Sequence, residues 1–256
     1  MKNKKNNYSH VGILSAMPEE VGVILDHLES IESKMYGDFE LFSGKYRYNN
    51  SKEILITTAW SGWGKVSAAR ATTRLLSSHL SSIPIDIVLF TGVAGAIDKK
   101  LRQWDIILAD SLIQHDMDAR PLFEKYEIPA IKNKKIIPKS SLLEDIYYAM
   151  KKLLDKKNIS KFGSFHKGLI ATGDMFVSNG EKINQLSEEL SELSAVEMEG
   201  ASFAQVAFQE NVDWLVLRVI SDEANEDALS DFNKFLSEYK LYSFDLIKCF
   251  LKALVK

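Results

Sequence analysis

One group of candidate catalytic residues lies within and directly after a run of apolar residues. Residues Trp214 to Ile220 predict a strand buried on both faces, yet the run contains Arg218 and continues into Ser221 and Asp222. In open α/β sheets, ligands bind beyond the carboxyl ends of the strands, where this polar pair would stand. Asp222 could instead cap a helix and Arg218 could belong to a buried ion pair, and position alone favours neither interpretation.

Two acids interrupt the segment 196–200, where an apolar strand is predicted to end and a helix to begin. They are Glu197 and Glu199, which flank Met198. A carboxylate at this place stabilises a helix N-terminus. A carboxylate that accepts two hydrogen bonds also suits the vicinal hydroxyls of a ribose, and Glu199 is well placed for that role. Both interpretations stay open on the sequence alone.

Another acidic pair, Glu19 and Glu20, follows the first predicted strand and opens the first predicted helix. Acids are favourable at a helix N-terminus, but this pair also stands at a strand's carboxyl end. If Glu20 and Asp222 converge, they supply the two carboxyl groups that acid–base cleavage of a glycosidic bond requires. One group protonates the leaving group, and the other deprotonates water.

Other candidates carry a weaker signal. His115 is flanked by acids, but a single histidine lacks the spacing of a zinc site, so hydrogen bonding in a loop is favoured and no metal is predicted. Phe176 and Phe232 could stack on a base, although aromatic residues near helix starts more often belong to the core.

Hydrophobic periodicity predicts the elements that would carry these residues. Apolar runs with amphipathic stretches between some of them favour one α/β domain, a sheet flanked by helices. Strands are predicted at 11–16, 39–46, 53–59, 85–90, 105–109, 168–171, 195–198 and 214–220. Helices are predicted from Pro18, after the glycine-containing segment 61–64, and at 141–154, 180–190, 199–210 and 229–254. Residues 91–95 predict a close backbone turn, and residues 61–64 predict a cradle for an anion or ligand.

Composition limits the class of partner. The chain has 256 residues, 32 basic and 35 acidic, and a net charge of -3, which gives no overall attraction to nucleic acid or anionic lipid. No apolar run approaches the ~20 residues of a membrane helix. The single cysteine, Cys249, predicts a packing role and a cytoplasmic location. Residues 1–256 are predicted to form one domain, with 1–9 as a flexible N-terminal extension and the lysine-rich segment 132–139 as a solvated loop.

Seven segments taken together resemble the 5'-methylthioadenosine/S-adenosylhomocysteine nucleosidases of the nucleoside phosphorylase superfamily. Their order along the chain and their number make chance similarity a poor explanation. The segments are GILSAMPEEV at 12–21, SGWGKVSAA at 61–69, TGVAGAI at 91–97, QHDMDA at 114–119, ATGDMFV at 171–177, AVEMEG at 195–200 and RVISDEA at 218–224.

The resemblance implies a central mixed, partly barrel-like sheet flanked by helices, and a homodimer. It implies hydrolysis of the adenine N-glycosidic bond of 5'-methylthioadenosine and S-adenosylhomocysteine, with 5'-deoxyadenosine as a further candidate, by water and without a cofactor. Asp222 would protonate adenine while Ser221 orients it. Glu20 would activate the water with help from Arg218. The loop after His115 would reach into the partner's site.

The resemblance also implies residues that bind the substrate. They are Glu199, Met198 and Glu197 at the sugar, Phe176 and the Val177 backbone at the adenine, Phe232 at the 5'-alkylthio group, and Val93 near the nucleophile. Val93 stands where this family usually has a serine, so one expected hydrogen bond near the water has no donor. The segment 121–129 also departs from the commonest form of the loop that contacts the partner.

Two other functions compete with hydrolysis. A purine nucleoside phosphorylase shares the fold but uses phosphate, which Glu19 and Glu20 would repel. A binding protein or surface adhesin would keep only a residual pocket, and the combination of Glu20, Glu199 and Asp222 argues against it. In that case the segment 132–139 would be the first candidate for contact with a polyanion.

Overall fold

A computed structural model describes residues 8–49, 52–78, 80–155, 161–222 and 228–255. Of the extension predicted for residues 1–9, residues 1–7 lie outside the described ranges. No helix within those ranges combines the length and the apolar character needed to cross a lipid bilayer.

Ten strands and six α-helices make up the described part of the chain. The strands are β1 His10–Ser15, β2 Leu28–Tyr36, β3 Phe39–Asn49, β4 Lys52–Trp60, β5 Ile87–Ala96, β6 Ile106–Gln114, β7 Lys135–Ile136, β8 Phe165–Thr172, β9 Leu193–Glu197 and β10 Asp213–Asp222. The helices are α1 Lys65–Leu76, α2 Ser140–Leu154, α3 Gly180–Glu189, α4 Gly200–Gln209, α5 Ala228–Tyr239 and α6 Ser243–Leu254.

Five of the strands close into a barrel. The sheet runs in the order β10-β6-β8-β9-β5-β1-β4-β3-β2, and a further pairing of β10 with β5 closes the ring. The β5–β10, β6–β8 and β8–β9 pairs are parallel, whereas β6–β10 and β5–β9 are antiparallel. The mixed, partly barrel-like sheet expected from the resemblance is therefore confirmed.

The closed sheet separates two hydrophobic clusters. On one face of β5, Leu89 and Val93 pack in a cluster with α2, α5 and α6. On the other face, Phe90 packs in a cluster with α1 and α4. Because β5 and β10 are buried on both faces, their sequences are almost continuously apolar. Arg218, in the middle of β10, is therefore held in a dry environment.

The helix predicted from Pro18 is wrong. Two short 3-10 turns occupy Pro18–Glu20 and Ile24–His27, and Gly22 between them has a φ of 56° that a right-handed helix does not contain. Leu28, whose spacing from Val21 and Ile24 fits one face of such a helix, instead begins β2, which pairs with β3. The sequence does not predict β2 because most of its side chains are exposed, and apolar alternation is absent.

The turn predicted at residues 91–95 is also wrong, because β5 continues to Ala96. Gly92 lies within the strand, where a Cβ atom would overlap Arg218 Nη1 and Glu20 Oε1. The glycine therefore marks the close approach of two side chains to a strand.

The single helix predicted at 229–254 is divided into α5 and α6 by a turn at Lys240–Tyr242. Ser243 Oγ, at the start of α6, donates a hydrogen bond to the Glu19 carbonyl at 2.9 Å. The turn thus lets α6 pack against the segment that contains Glu20. The other predicted strands and helices are confirmed with shifted ends, and the lysine-rich segment contains the short strand β7.

Candidate active site

A pocket with about 570 Å³ of empty space lies where β1, β5, β9 and β10 end. Every residue that the sequence and the resemblance proposed for the site lines it, with the exception of Arg218. Those residues are Glu20, Val93, Phe176, Val177, Glu197, Met198, Glu199, Ser221, Asp222 and Phe232. Glu20 and Asp222 therefore face one shared space.

Glu20 is held at the pocket by backbone N–H groups from two strand ends. Its Oε2 accepts hydrogen bonds from the N–H groups of Ala16 at 2.8 Å and Met17 at 2.9 Å, and its Oε1 accepts one from Val93 at 3.0 Å. Burial raises the pKa of Glu20, while Arg218 and these N–H groups act in the opposite direction. The carboxyl group is thus fixed in position and has an increased affinity for a proton.

Ser221 and Asp222 occupy the end of β10, beside an irregularity in the pairing with β5. Ser221 Oγ donates a hydrogen bond to Asp222 Oδ2 at 2.6 Å, and Gln103 Nε2 donates one to the Ser221 carbonyl at 2.7 Å. A bulge at a strand end redirects side chains, which is how two consecutive residues can both line the pocket.

Arg218 is a member of a buried ion pair, one of the two interpretations left open by the sequence. Its Nη2 hydrogen-bonds to Glu197 Oε2 and lies 3.6 Å from Glu199 Oε2. Its guanidinium carbon lies 4.7 Å from the centre of the Phe90 ring. The Arg218 side chain has no exposed surface and lies behind the pocket lining. The carboxylates of Glu197 and Glu199, which belong to that lining, compensate its charge.

Glu197, rather than Glu199, satisfies the N-terminus of α4. Glu197 Oε2 accepts hydrogen bonds from the N–H of Gly200 at 2.7 Å and of Glu199 at 3.2 Å, and Thr172 Oγ1 donates to Oε1. Glu199 stands at the N-cap position but makes no capping hydrogen bond. Its Oε1 instead accepts a hydrogen bond from the N–H of Gly64 at 2.9 Å, so the capping hypothesis for Glu199 is wrong.

The pKa of Glu199 is raised to about 8, first by burial and then by the charge of Glu197. Arg218 opposes this shift but lies closer to Glu197. Two carboxyl groups that share one guanidinium cannot both be fully compensated, so the pair retains a proton to a higher pH than an isolated carboxyl group would.

Aromatic side chains form one wall of the pocket. Phe232 makes edge-on contacts with Phe176 and Trp63, with ring centres 5.9 Å and 6.2 Å apart. The sequence had singled out the two phenylalanines but not Trp63 or Met175, which also line the pocket. The sequence feature that could have indicated Trp63 is its position between Gly62 and Gly64. Both glycines have positive φ, and they turn the segment towards the pocket.

His115 lies outside the pocket lining. The ring is buried against Gly173, where a Cβ atom would overlap it. Within the described part of the chain, neither ring nitrogen has a hydrogen-bond partner, so the predicted loop hydrogen bonding is not found. No cluster of three or more His, Cys, Asp or Glu side chains suited to a metal occurs in the same ranges.

Comparisons with known proteins identify the class. The profile of the family described as the phosphorylase superfamily matches residues 10–254. A 5'-methylthioadenosine/S-adenosylhomocysteine nucleosidase of Staphylococcus saprophyticus is 31% identical over 245 residues, which cover 95% of this chain and 100% of that relative. The chain therefore belongs to the phosphorylase superfamily. Within it, the chain is an N-ribosyl hydrolase of the 5'-methylthioadenosine/S-adenosylhomocysteine nucleosidase family.

Solved structures agree with this placement. The 5'-methylthioadenosine/S-adenosylhomocysteine nucleosidase of Colwellia psychrerythraea, solved in complex with adenine, matches with a TM-score of 0.84 at 28% sequence identity. The match covers 97% of this chain and 96% of the Colwellia chain. The futalosine hydrolase of Helicobacter pylori matches with a TM-score of 0.80 at 33% sequence identity. This match covers 95% of this chain and 97% of the Helicobacter chain.

The first prediction concerns Gly92. In Gly92→Ala, the added methyl group must displace Arg218 or Glu20, so we expect a loss of stability of about 1–3 kcal/mol. Turnover should fall at least about tenfold, since small misplacements of catalytic groups are costly. Urea unfolding and an assay of base release measure both effects. Gly180→Ala is the control because no atom lies within 4 Å of its added Cβ; equal behaviour of the two variants would contradict the prediction.

A second prediction follows from the pKa of Glu199, which burial raises to about 8 in the folded protein from an ordinary value of 4.5. Between these pH values the folded state binds more protons than the unfolded chain, so wild-type stability falls as the pH rises through them. Glu199→Gln has no such proton to lose. Its stability relative to wild type should rise between about pH 5 and pH 8 by an amount on the order of 1–2 kcal/mol.

Urea unfolding at several pH values checks this prediction, with Glu188→Gln on the exposed surface of α3 as the control. A stability difference between Glu199→Gln and wild type that stays constant with pH would contradict it.

Proposed function

We propose that the chain hydrolyses the N-glycosidic bond of 5'-methylthioadenosine and S-adenosylhomocysteine, releasing adenine and the thio-substituted ribose. This proposal rests on one observation: Glu20 and Asp222 face the same pocket. Glu199 also lines this pocket. The names of the relatives and the adenine bound in the Colwellia structure support an adenine nucleoside as the substrate. We include 5'-deoxyadenosine among the substrates to be tested.

In the proposed reaction, the Asp222 carboxyl donates a proton to the imidazole ring of adenine. The C–N bond to the ribose breaks, and its electron pair leaves with the base as neutral adenine. A water molecule adds to the anomeric carbon and gives a proton to Glu20. The hydrogen bond from Ser221 Oγ to Asp222 orients the acid for this transfer.

We assign the water to the side of the pocket where Glu20 is held by three N–H groups. A raised pKa suits a group that must accept a proton from water, since proton affinity near the working pH gives efficient transfer. Val93 supplies a backbone N–H to Glu20, but its side chain offers the water no hydrogen bond. Arg218 supports this arrangement by its position between Glu20 and Glu197.

The remaining residues of the site are proposed to hold the substrate. Glu199 would accept hydrogen bonds from the ribose hydroxyls with its remaining lone pairs, beside Met198 and Glu197. Phe176 would stack on adenine and the Val177 backbone would contact its edge. Phe232 would line the space for the 5' substituent. Cleavage builds positive charge on the sugar, which the surrounding carboxyl groups stabilise.

Phosphorolysis is a poorer match to the pocket. Its described lining contains Glu20, Glu197, Glu199 and Asp222 but no lysine, arginine or histidine. The guanidinium of Arg218 has no exposed surface, and its Nη2 donates to Glu197. A phosphate dianion would therefore meet negative charge without a free cation, whereas a neutral water molecule would not.

The alternative of a polyanion-binding protein also finds little support. In the segment 132–139, Lys134 pairs with Glu124 and Lys135 with Glu192, while Lys139 lies 3.7 Å from Asp213. Their charge is thus partly compensated within the chain. The absence of nucleic-acid partners and the cytoplasmic location stay predictions from the sequence.

We further propose that the chain forms a homodimer and that the loop after His115 contributes to the partner's site. Exposed apolar side chains support an interface on this side of the molecule, since Leu122 is 83% exposed and Val66, Phe123 and Met175 are also exposed. Val66 follows Lys65, and Met175 follows Asp174. Both Lys65 and Asp174 form hydrogen bonds with Asp116, the first residue of this loop.

Leu122→Asp should convert a wild-type dimer into monomers, because a charge in a buried apolar contact is costly. Sedimentation velocity measures the change, and adenine release should fall with it. Leu241→Asp is the control, an exposed leucine between α5 and α6. A monomeric wild type, or a dimer that tolerates Leu122→Asp fully, would contradict the proposed interface.

The central prediction concerns the two carboxyl groups. Asp222→Asn and Glu20→Gln should each lower turnover by about a hundredfold or more, as expected for lost acid–base catalysis, while the proteins still fold. Matched controls are Asp213→Asn, at the opposite end of β10, and Glu19→Gln, the neighbour of Glu20 that does not line the pocket.

Liquid chromatography after incubation with methylthioadenosine, adenosylhomocysteine, 5'-deoxyadenosine, adenosine and futalosine, with and without phosphate, measures the activity. We expect adenine release from the thio-substituted nucleosides that is independent of phosphate. Release that requires phosphate, or cleavage of futalosine alone, would replace the proposed function. Wild-type turnover in either pocket variant would refute the assigned roles.

A further inference from the structure

The N-terminus of α1, predicted from the sequence to cradle an anion, is occupied by carboxylates of the chain itself. The N–H of Gly64 donates to Glu199 Oε1 at 2.9 Å, and the N–H of Lys65 donates to Asp174 Oδ1 at 2.7 Å. Gly64 has a φ of 90°, and a Cβ atom there would lie 2.9 Å from Asp174 Oδ1. This glycine lets Asp174 approach the helix.

The side chain of Lys65 completes a closed set of hydrogen bonds. Lys65 Nζ lies 2.7 Å from Asp116 Oδ1, and Asp116 Oδ2 accepts a hydrogen bond from the N–H of Asp174 at 2.9 Å. With the bond from Lys65 N to Asp174 Oδ1, each of the three residues is joined to the other two. We call this set, Lys65, Asp116 and Asp174, the Lys65 ring. Gln114 Oε1 lies 3.3 Å from the same ammonium group.

The ring joins three segments that are distant in sequence. Lys65 opens α1, Asp116 follows β6, and Asp174 follows β8. Burial favours the neutral form of Asp116, but the hydrogen bonds from Lys65 and from the N–H of Asp174 outweigh it and lower its pKa. The ion pair is therefore present at neutral pH, and both charged side chains are less than one-third exposed.

Two parts of the pocket are attached directly to this ring. Gly64, next to Lys65, fixes Glu199, which is the carboxyl group proposed to hold the ribose. The residues after Asp174 are Met175, Phe176 and Val177, which line the side proposed for the base. The distance between these two parts must match the distance between the sugar and the base of one nucleoside.

We propose that Lys65 is a positioning residue, which sets the spacing between the ribose carboxyl group and the base-contacting segment 175–177 through the Lys65 ring. This inference rests on the proposed function. Lys65 does not line the pocket, so it acts only through Asp116, Asp174 and Gly64. An exposed ion pair would contribute little, whereas the acid of this one also accepts the backbone N–H of Asp174, whose carboxylate in turn accepts the N–H of Lys65.

Lys65→Met removes the ammonium group, and Asp116→Asn keeps the shape of the acid but removes its charge. Hydrogen exchange measured by mass spectrometry on ligand-free protein should be about tenfold or more faster in residues 173–177 of either variant, because their local opening becomes easier. Lys167→Met is the matched control, since Lys167 forms an ion pair with Glu144 near the start of β8, whereas Asp174 of the ring follows the end of this strand. It should leave exchange in 173–177 unchanged.

Kinetics provide the second readout. A loss of contacts made equally to substrate and transition state raises KM, so kcat/KM should fall by about tenfold to a hundredfold, mainly through KM. Asp222→Asn should instead act on kcat. The double variant Lys65→Met/Asp116→Asn should lose little more than either single variant, because one ion pair is removed in all three.

Unchanged exchange in residues 173–177, or effects of the two substitutions that add fully, would overturn the inference. If Lys65→Met fails to fold by circular dichroism, the isosteric Asp116→Asn decides the question alone. Should wild-type protein cleave no thioadenosine, the proposed function fails, while hydrogen exchange still decides whether the ring holds the segment. The two failures are therefore distinguishable.

Discussion

One buried guanidinium surrounded by carboxyl groups is the interaction on which the site depends. Arg218 is fully buried, pairs with Glu197 and lies close to Glu199 and Glu20. A buried charge costs several kcal/mol unless it is compensated, and one positive charge cannot compensate three ionised acids. Burial raises the pKa values of Glu20 and Glu199, the charge of Glu197 adds to the shift at Glu199, and Arg218 opposes both shifts. Glu199, whose pKa is raised to about 8, therefore retains a proton near neutral pH.

This electrostatic arrangement dictates local backbone structure. Closure of the barrel brings β10, with Arg218, beside β5, and Gly92 of β5 leaves the space in which Arg218 and Glu20 meet. The N–H groups that hold Glu20 come from the ends of β1 and β5. The carboxylate of Glu197 satisfies the start of α4 while it pairs with Arg218. Strand ends and a helix start are therefore arranged around the charges, which explains why the site lies at this end of the barrel.

How far the sequence predicts this structure depends on the range of the interaction. The polar pair Ser221 and Asp222 after an apolar run could be placed in the pocket because strand ends follow a general rule. The path from Pro18 could not be predicted, because the spacing of Val21, Ile24 and Leu28 fits a helix while pairing with β3 decides otherwise. Gly92 suggested a turn because the sequence does not reveal which side chains approach it. The contacts of Lys65 join residues 49 and more positions apart, beyond any local pattern.

Val93 illustrates how the same site can tolerate an unexpected side chain. Its N–H donates to Glu20, and this bond depends on the path of β5 rather than on the residue type. A serine at this position would add a hydroxyl group next to the water, whereas valine adds apolar surface to the pocket and leaves the N–H unchanged. In the proposed reaction, water placement would then rely more on Glu20, whose carboxyl group is fixed by three backbone donors. If Glu20 is the base, as proposed, its preorganisation by the backbone reduces the dependence of water activation on the residue type at position 93.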